Sequence, residues 1–212
     1  MIVTVGNTKG GTGKSTIAIN LAIARGGKVW MIDGDRQGTA KTVMLVRAQT
    51  GRLPAIPCDH LPEGKDLRVQ LSARSKQFDD VVIDAGGRDS SALRAALVLS
   101  DLVLIPFAPR SLDVWALGDI SALIEEARVI NPALRAAAVL SCADATGHDN
   151  KDAVDALADF PQLTYMPTPI RRRKSVANAV GMGLSVLEVT PKDEKANQEI
   201  KALVNAVFMP LK

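Results

Sequence analysis

Residues 7–16 read NTKGGTGKST and decide the fold, because they join an apolar run, IVTV (2–5), to a helix expected over residues 14 to 25. Gly10, Gly11 and Gly13 let the backbone curl so that successive N–H groups point inward, and the helix starting near Lys14 adds its positive end. Strand, glycine-rich turn and helix in that order make a cradle for phosphates. The usual form is G-x-x-x-x-G-K-[ST], in which the lysine reaches the terminal phosphates and the next hydroxyl is offered to Mg²⁺. Gly13, Lys14 and Ser15 supply that end and point to ATP with Mg²⁺. The place of the first glycine is held by Thr8, and a second lysine, Lys9, follows it. A ligand-free Gly-rich turn would account for the glycines, but not for Lys-Ser-Thr at the start of a helix.

The alternation continues along the chain. Strands are expected at KVWMID (28–33), near 55–59, at DVVID (80–84), DLVLIPF (101–107), RAAAVLSC (135–142) and QLTYM (162–166). Helices are expected over 111–130, 151–160, 174–181 and 192–208. Strands this apolar, without clean alternation, are buried on both faces. Repeated strand–helix–strand order gives right-handed crossovers and a parallel sheet. The expectation is one doubly wound α/β domain over residues 1–212, a mostly parallel sheet with helices on both faces. Ligands of such sheets sit beyond the carboxyl ends of the strands. The segments falling there are 7–16, DGDRQG (33–38), DAGGRDS (84–90), APRSLD (108–113) and MPTPIRRRK (166–174).

Composition narrows the class. Hydrophobic residues are 47% of the 212 but aromatics only 3%, so the core must be Ala, Val, Leu and Ile. The formal charge of +3 is too small to argue for a polyanionic partner, so any basic surface must be local. Cys58 and Cys142 lie far apart and form no C-x-x-C, which indicates neither a disulfide framework nor a metal knuckle. The chain opens on a strand instead of a secretory signal, and no apolar run reaches bilayer length. A soluble protein of the reducing cytoplasm is expected.

Carboxylates at strand ends extend the site. Asp84 closes an apolar strand where an acid is needed to hold the water shell of a phosphate-bound metal. Asp33 and Asp35 end the second strand two residues apart and are expected to point the same way, where a carboxylate can orient an attacking water. Such residues can also simply cap the next helix. His60 and His148 are expected in surface loops.

KGGTGKST (9–16) matches the deviant Walker A pattern, K-G-G-x-G-K-[ST]-[ST], and the chain resembles the ParA/MinD family of P-loop ATPases. IDGDRQGTA (32–40) is similar to the family's D-x-D-P-Q-G-[NS] segment, with Arg36 where proline is usual. VVIDAGG (81–87), SDLVLIPFAPRSLDVWA (100–116) and GLSVLE (183–188) resemble the short plasmid-type ParA partition ATPases. The matches run from residue 2 to about 190, with no extra domain before the first strand. The resemblance implies ATP and Mg²⁺ held by Lys9, Gly10, Gly11, Thr12, Gly13, Lys14, Ser15 and Thr16. It further implies that Lys9 crosses a homodimer interface to the other subunit's phosphates, and that adenine contacts come from the neighbourhoods of Cys142–Asp144 and Met166–Ile170.

What the ATP-bound dimer holds rests on charge. RRRK (171–174) is the densest run of cations and precedes a helix, where it opposes the helix dipole. Something else is therefore expected to want Arg171, Arg172, Arg173 and Lys174 there. The resemblance implies nonspecific double-stranded DNA, with contacts inside the dimer or plain solvation as the alternatives. It also implies a nucleoid location and hydrolysis stimulated by a ParB-type centromere-binding protein. A membrane role would need a basic amphipathic last helix. Residues 192–208 instead balance their charges around one apolar face, as a helix docked on the domain does. An ATPase that positions a protein cargo has the same chemistry and stands as the alternative.

Overall fold

A computed structural model describes residues 1–209. In chain order the elements are β1 (Ile2–Val5), α1 (Lys14–Arg25), β2 (Val29–Asp33), α2 (Thr39–Gln49), β3 (Cys58–His60), α3 (Gly64–Arg74), β4 (Asp80–Asp84) and α4 (Ser91–Leu99). They continue with β5 (Leu102–Phe107), α5 (Ser111–Trp115), α6 (Leu117–Ile130), β6 (Arg135–Ala143), α7 (Asp149–Asp155), β7 (Thr164–Tyr165), β8 (Ile170–Arg171), α8 (Lys174–Gly181) and α9 (Glu194–Phe208). The strand order is β3-β2-β4-β1-β5-β6-β7, with β8 on the end of β6, and every pairing is parallel.

β2, β4 and β5 are buried at every position, which is why they read as unbroken apolar runs. Their side chains still divide by alternate positions. Val29 and Met31 pack with α1, α2, α8 and α9 on one face, while Trp30 and Ile32 pack with α3 and α4 on the other. α6 and α7 cover the second face farther along the sheet. The doubly wound α/β expectation holds.

Three expectations need correcting. The helix over 111–130 is two, α5 and α6, separated at Ala116, whose carbonyl accepts a long hydrogen bond from the Thr8 hydroxyl (3.5 Å). The strand near 55–59 is only Cys58–His60, so His60 lies in a strand and its Nε2 meets the Asp35 carbonyl at 2.7 Å. The segment before the basic run contains a further strand, β8, whose Ile170 pairs with Ser141 beyond the point where β7 stops.

Candidate nucleotide-binding and hydrolysis site

The loop between β1 and α1 is fastened before it turns. Asn7 Nδ2 donates to the Pro106 carbonyl (2.8 Å), and its Oδ1 accepts from Lys9 N (3.1 Å). Gly13 then takes φ +79°, and a Cβ there would stand 2.8 Å from Ser141 Oγ, so the left-handed turn and the space both require glycine. Nothing lies within 4 Å of a Cβ built on Gly10 or Gly11, which leaves the rim open.

Lys14 is nearly buried, and its Nζ folds back to the Lys9 carbonyl at 2.6 Å. Burial lowers its pKa, against the opposing fields of Asp84 and Asp35. Asp84 ends β4, its register partners being Val5 of β1 and Asp33 of β2. Burial raises its pKa to about 7, although a hydrogen bond from Ser15 favours the charged form. Asp84 Oδ2 has no hydrogen-bond partner despite being buried, and neither does Thr12 Oγ1. An unpaired carboxylate oxygen beside a serine hydroxyl fits the water shell of a hard cation. Among the described residues no three His, Cys, Asp or Glu side chains converge on a metal position. That suits Mg²⁺, which takes few protein ligands and relies on phosphates and water for the rest.

Asp33 and Asp35 do not point the same way. Asp33 is fully buried; its Oδ1 accepts from Asp35 N (3.0 Å) and its Oδ2 from Lys41 N (2.8 Å). Burial raises its pKa, and those two backbone bonds oppose the rise. Its carboxylate thus shapes the turn into α2. Strand geometry ends at Asp33, and the turn at Gly34 swings Asp35 toward the phosphate loop. A Cβ on Gly86 would lie 3.2 Å from Asp35 Cγ, and one on Gly87 would lie 3.1 Å from both Gly10 Cα and Lys14 Nζ. The loops after β2 and β4 therefore close on the phosphate loop around a cavity of about 1000 Å³. Gly10, Gly11, Gly13, Lys14, Ser15, Thr16 and Asp35 line it, together with Arg36 and Arg88. Arg36 pairs with Glu63 at 3.0 Å, on the outer wall. Sequence reasoning missed Arg88, although it sits within DAGGRDS.

The adenine-side neighbourhoods come together as expected. Ser141 and Ala143 pair with Ile170 and Arg171 across a bulge, and Cys142 between them takes φ +52°. The basic run divides. Glu199 of α9 accepts from Arg171 Nη1 (2.9 Å), Arg171 N (3.1 Å) and Arg173 Nη2 (2.8 Å), and Arg173 also lies 3.9 Å from Asp193. Arg172 and Lys174 are exposed. What wants half of this run is thus an acid of the same chain.

A buried polar chain also escaped the sequence reading. Arg47, 1% exposed, gives both terminal nitrogens to Glu188 (2.8 and 2.9 Å) and bonds the carbonyls of Leu53, Pro54 and Gly183. Ser185 and Glu188 form a capping box, and Asn20 of α1 accepts from Ser185 Oγ and Val186 N. The S-x-x-E spacing within GLSVLE is the signal that could have found it. It ties the phosphate-loop helix to α2, which follows Asp35.

Comparison with known proteins agrees with this geometry. A family model described as "ATPase MipZ" matches residues 1–181. The maintenance of carboxysome distribution protein A of Halothiobacillus neapolitanus is 30% identical over 209 residues, covering 96% of this chain and 94% of that protein. The chromosome-partitioning ATPase Soj of Thermus thermophilus is 29% identical over 230 residues, covering 92% and 90%. The solved cell division ATPase MinD of Pyrococcus furiosus superposes with a TM-score of 0.76 at 16% identity, covering 97% of each chain. The chain belongs to the MipZ/ParA family of P-loop ATPases, and is a positioning or partition ATPase that uses ATP with Mg²⁺.

Proposed function

We propose that the chain closes on ATP as a homodimer, holds nonspecific double-stranded DNA in that state, and is reset when a partner protein on its cargo stimulates hydrolysis. The observation that carries this is Lys9. Its backbone is held by Asn7 and Lys14, yet its ammonium has no hydrogen-bond or ion-pair partner among the described residues. A cation left open at the rim of a phosphate cradle suits a second nucleotide, and two facing phosphate sites need such counter-charge to approach.

Within one chain, Lys14 and the inward N–H groups of residues 10–16 bind the phosphates. Ser15 holds Mg²⁺ directly and Asp84 through water, and the ion when bound neutralises charge on the phosphate oxygens. Asp35, in contact with the Gly86 turn, orients the water that attacks the terminal phosphorus; the bond to the bridging oxygen breaks and ADP leaves as the anion. Arg172 and Lys174, doubled in the dimer, meet DNA phosphates on the nucleoid. The cargo is a plasmid centromere carrying a ParB-type protein. A protein cargo is the second reading, favoured by the near full-length similarity to the carboxysome distribution protein. A membrane role is disfavoured because α9 turns Ala196, Ile200, Leu203 and Val207 into the core beside α1.

Sedimentation with ADP, ATP and a slowly hydrolysed analogue, with and without duplex DNA, tests the cycle. Dimers are expected only with triphosphate, and DNA binding only from dimers. Lys9→Ala should bind ATP and stay monomeric; an ATP dimer of that variant would refute the shared-lysine reading.

A further inference from the structure

We infer that α5 is a nucleotide-positioned docking element for a second copy of this chain, anchored by Leu112 and Trp115. The inference rests on the homodimer reading and assigns the surface that joins the two copies. α5 has five residues and buries none of them. Only Val114 turns toward the core, while Leu112 is 61% and Trp115 71% exposed. The other tryptophan, Trp30, is fully buried and is stacked on Phe78 and covered by Arg74. In a chain with 3% aromatics, a solvent-facing tryptophan beside an exposed leucine is an unpartnered apolar pair at the edge of a polar cavity.

Both ends of α5 are fastened to the nucleotide site. At its start, the Arg110 guanidinium forks onto Asp144 (2.7 and 3.0 Å), in the loop beyond β6 on the expected adenine side. At its end, the Ala116 carbonyl accepts from Thr8 of the phosphate loop. Ahead of both, Pro106 receives the Asn7 amide. A movement of either nucleotide loop therefore carries α5 with it.

The occupant follows from continuity. Thr8 immediately precedes Lys9, so the apolar pair adjoins the cation whose ammonium has no partner within the described residues. A surface that sends Lys9 to a second nucleotide brings its neighbouring patch to the same interface. A two-fold axis then sets the same patch of both copies there. Tryptophan in such a position supplies the apolar attraction that opposed phosphates cannot.

Because Trp30 is inaccessible, acrylamide quenching of the parent protein reports Trp115. With ADP the quenching should be that of an exposed indole. With a slowly hydrolysed ATP analogue and Mg²⁺ it should fall severalfold at the concentrations where sedimentation shows dimer. Trp115→Ala should weaken dimerisation about thirtyfold and Leu112→Ser about fivefold, with analogue binding to the single chain kept within about twofold. A parent that stays monomeric removes the homodimer reading and this inference together. A parent that dimerises with Trp115 still quenchable, or variants that dimerise like the parent, overturns the role of α5 and leaves the homodimer standing. Protection without dimerisation, or only on adding DNA or anionic vesicles, assigns α5 another occupant and also overturns it.

Discussion

Two clusters of cations lie beyond the carboxyl ends of the strands, and the fold treats them oppositely. At residues 9–16 the lysines are held open: Lys14 bonds only a backbone carbonyl, and the carboxylates whose fields it feels, Asp84 and Asp35, lie across a cavity. At residues 171–174 a single acid, Glu199, arrives from α9 and closes on Arg171 and Arg173. The first cluster has fewer charges and more unmet demand. Counting cations along a chain therefore ranks the two sites in the wrong order; what the fold leaves unpaired decides which charges have work to do elsewhere.

The sharpest way to break this contrast is Lys14→Ala. If the lysine is the main intrasubunit cation for the phosphates, ATP affinity measured by calorimetry should fall by about a hundredfold or more. Affinity within tenfold of the parent would assign phosphate binding to the loop amides alone.

Asp35→Ala should keep ATP binding and slow turnover by about a hundredfold, the scale for losing a water-positioning group. The neighbouring acid behaves differently because its bonds are already used. Asp33→Ala exposes two buried N–H groups and should cost about 2 kcal/mol in unfolding free energy. A thermally normal Asp33→Ala with lost turnover would exchange the two roles.

For the basic cluster the comparison becomes internal. Replacing Arg172 and Lys174 by alanine should weaken ATP-dependent binding to random duplex DNA and flatten its salt slope by about 0.9 for each phosphate no longer neutralised. Replacing Arg171 and Arg173 should change the slope less, because both are engaged with Glu199 in the free protein. Equal effects would mean that DNA displaces the internal pairs.

The sequence carried the sheet, the phosphate loop and the acids at the strand ends, because each depends on local order: apolar runs, glycines at fixed offsets, a carboxylate closing a strand. It misled where distant segments decide. Nothing in RRRK says that an acid 28 residues after Arg171 packs against it. Nothing in an unbroken helical pattern over 111–130 says that Thr8 reaches Ala116. Strand periodicity put Asp33 and Asp35 on one side, and it failed because the strand stops between them. Arg47 reads as a surface helix residue, and only the fold brings Glu188 to it across the core.

The smallest effect should come from Glu199→Gln, and it tests the pairing itself. Burial pushes the Glu199 carboxyl up, but hydrogen bonds from Arg173 and Arg171 outweigh it and hold the pKa below the ordinary glutamate value. A lowered folded pKa means stability that is fully present above the unfolded value, about 4.3, and is lost as pH falls through the folded one. The parent should thus exceed Glu199→Gln by about 1 kcal/mol in denaturant unfolding near neutrality, and the gap should close in acid below the folded pKa. A gap that persists there would trace to shape, because Gln differs from protonated Glu only in its hydrogen bonding. The same substitution releases Arg171 and Arg173 toward solvent. If the cluster faces DNA, the variant should bind duplex slightly more tightly than the parent and with a steeper salt slope, gaining affinity while it loses stability. A loss of both would mean that Glu199 aims the two arginines at DNA instead of withholding them.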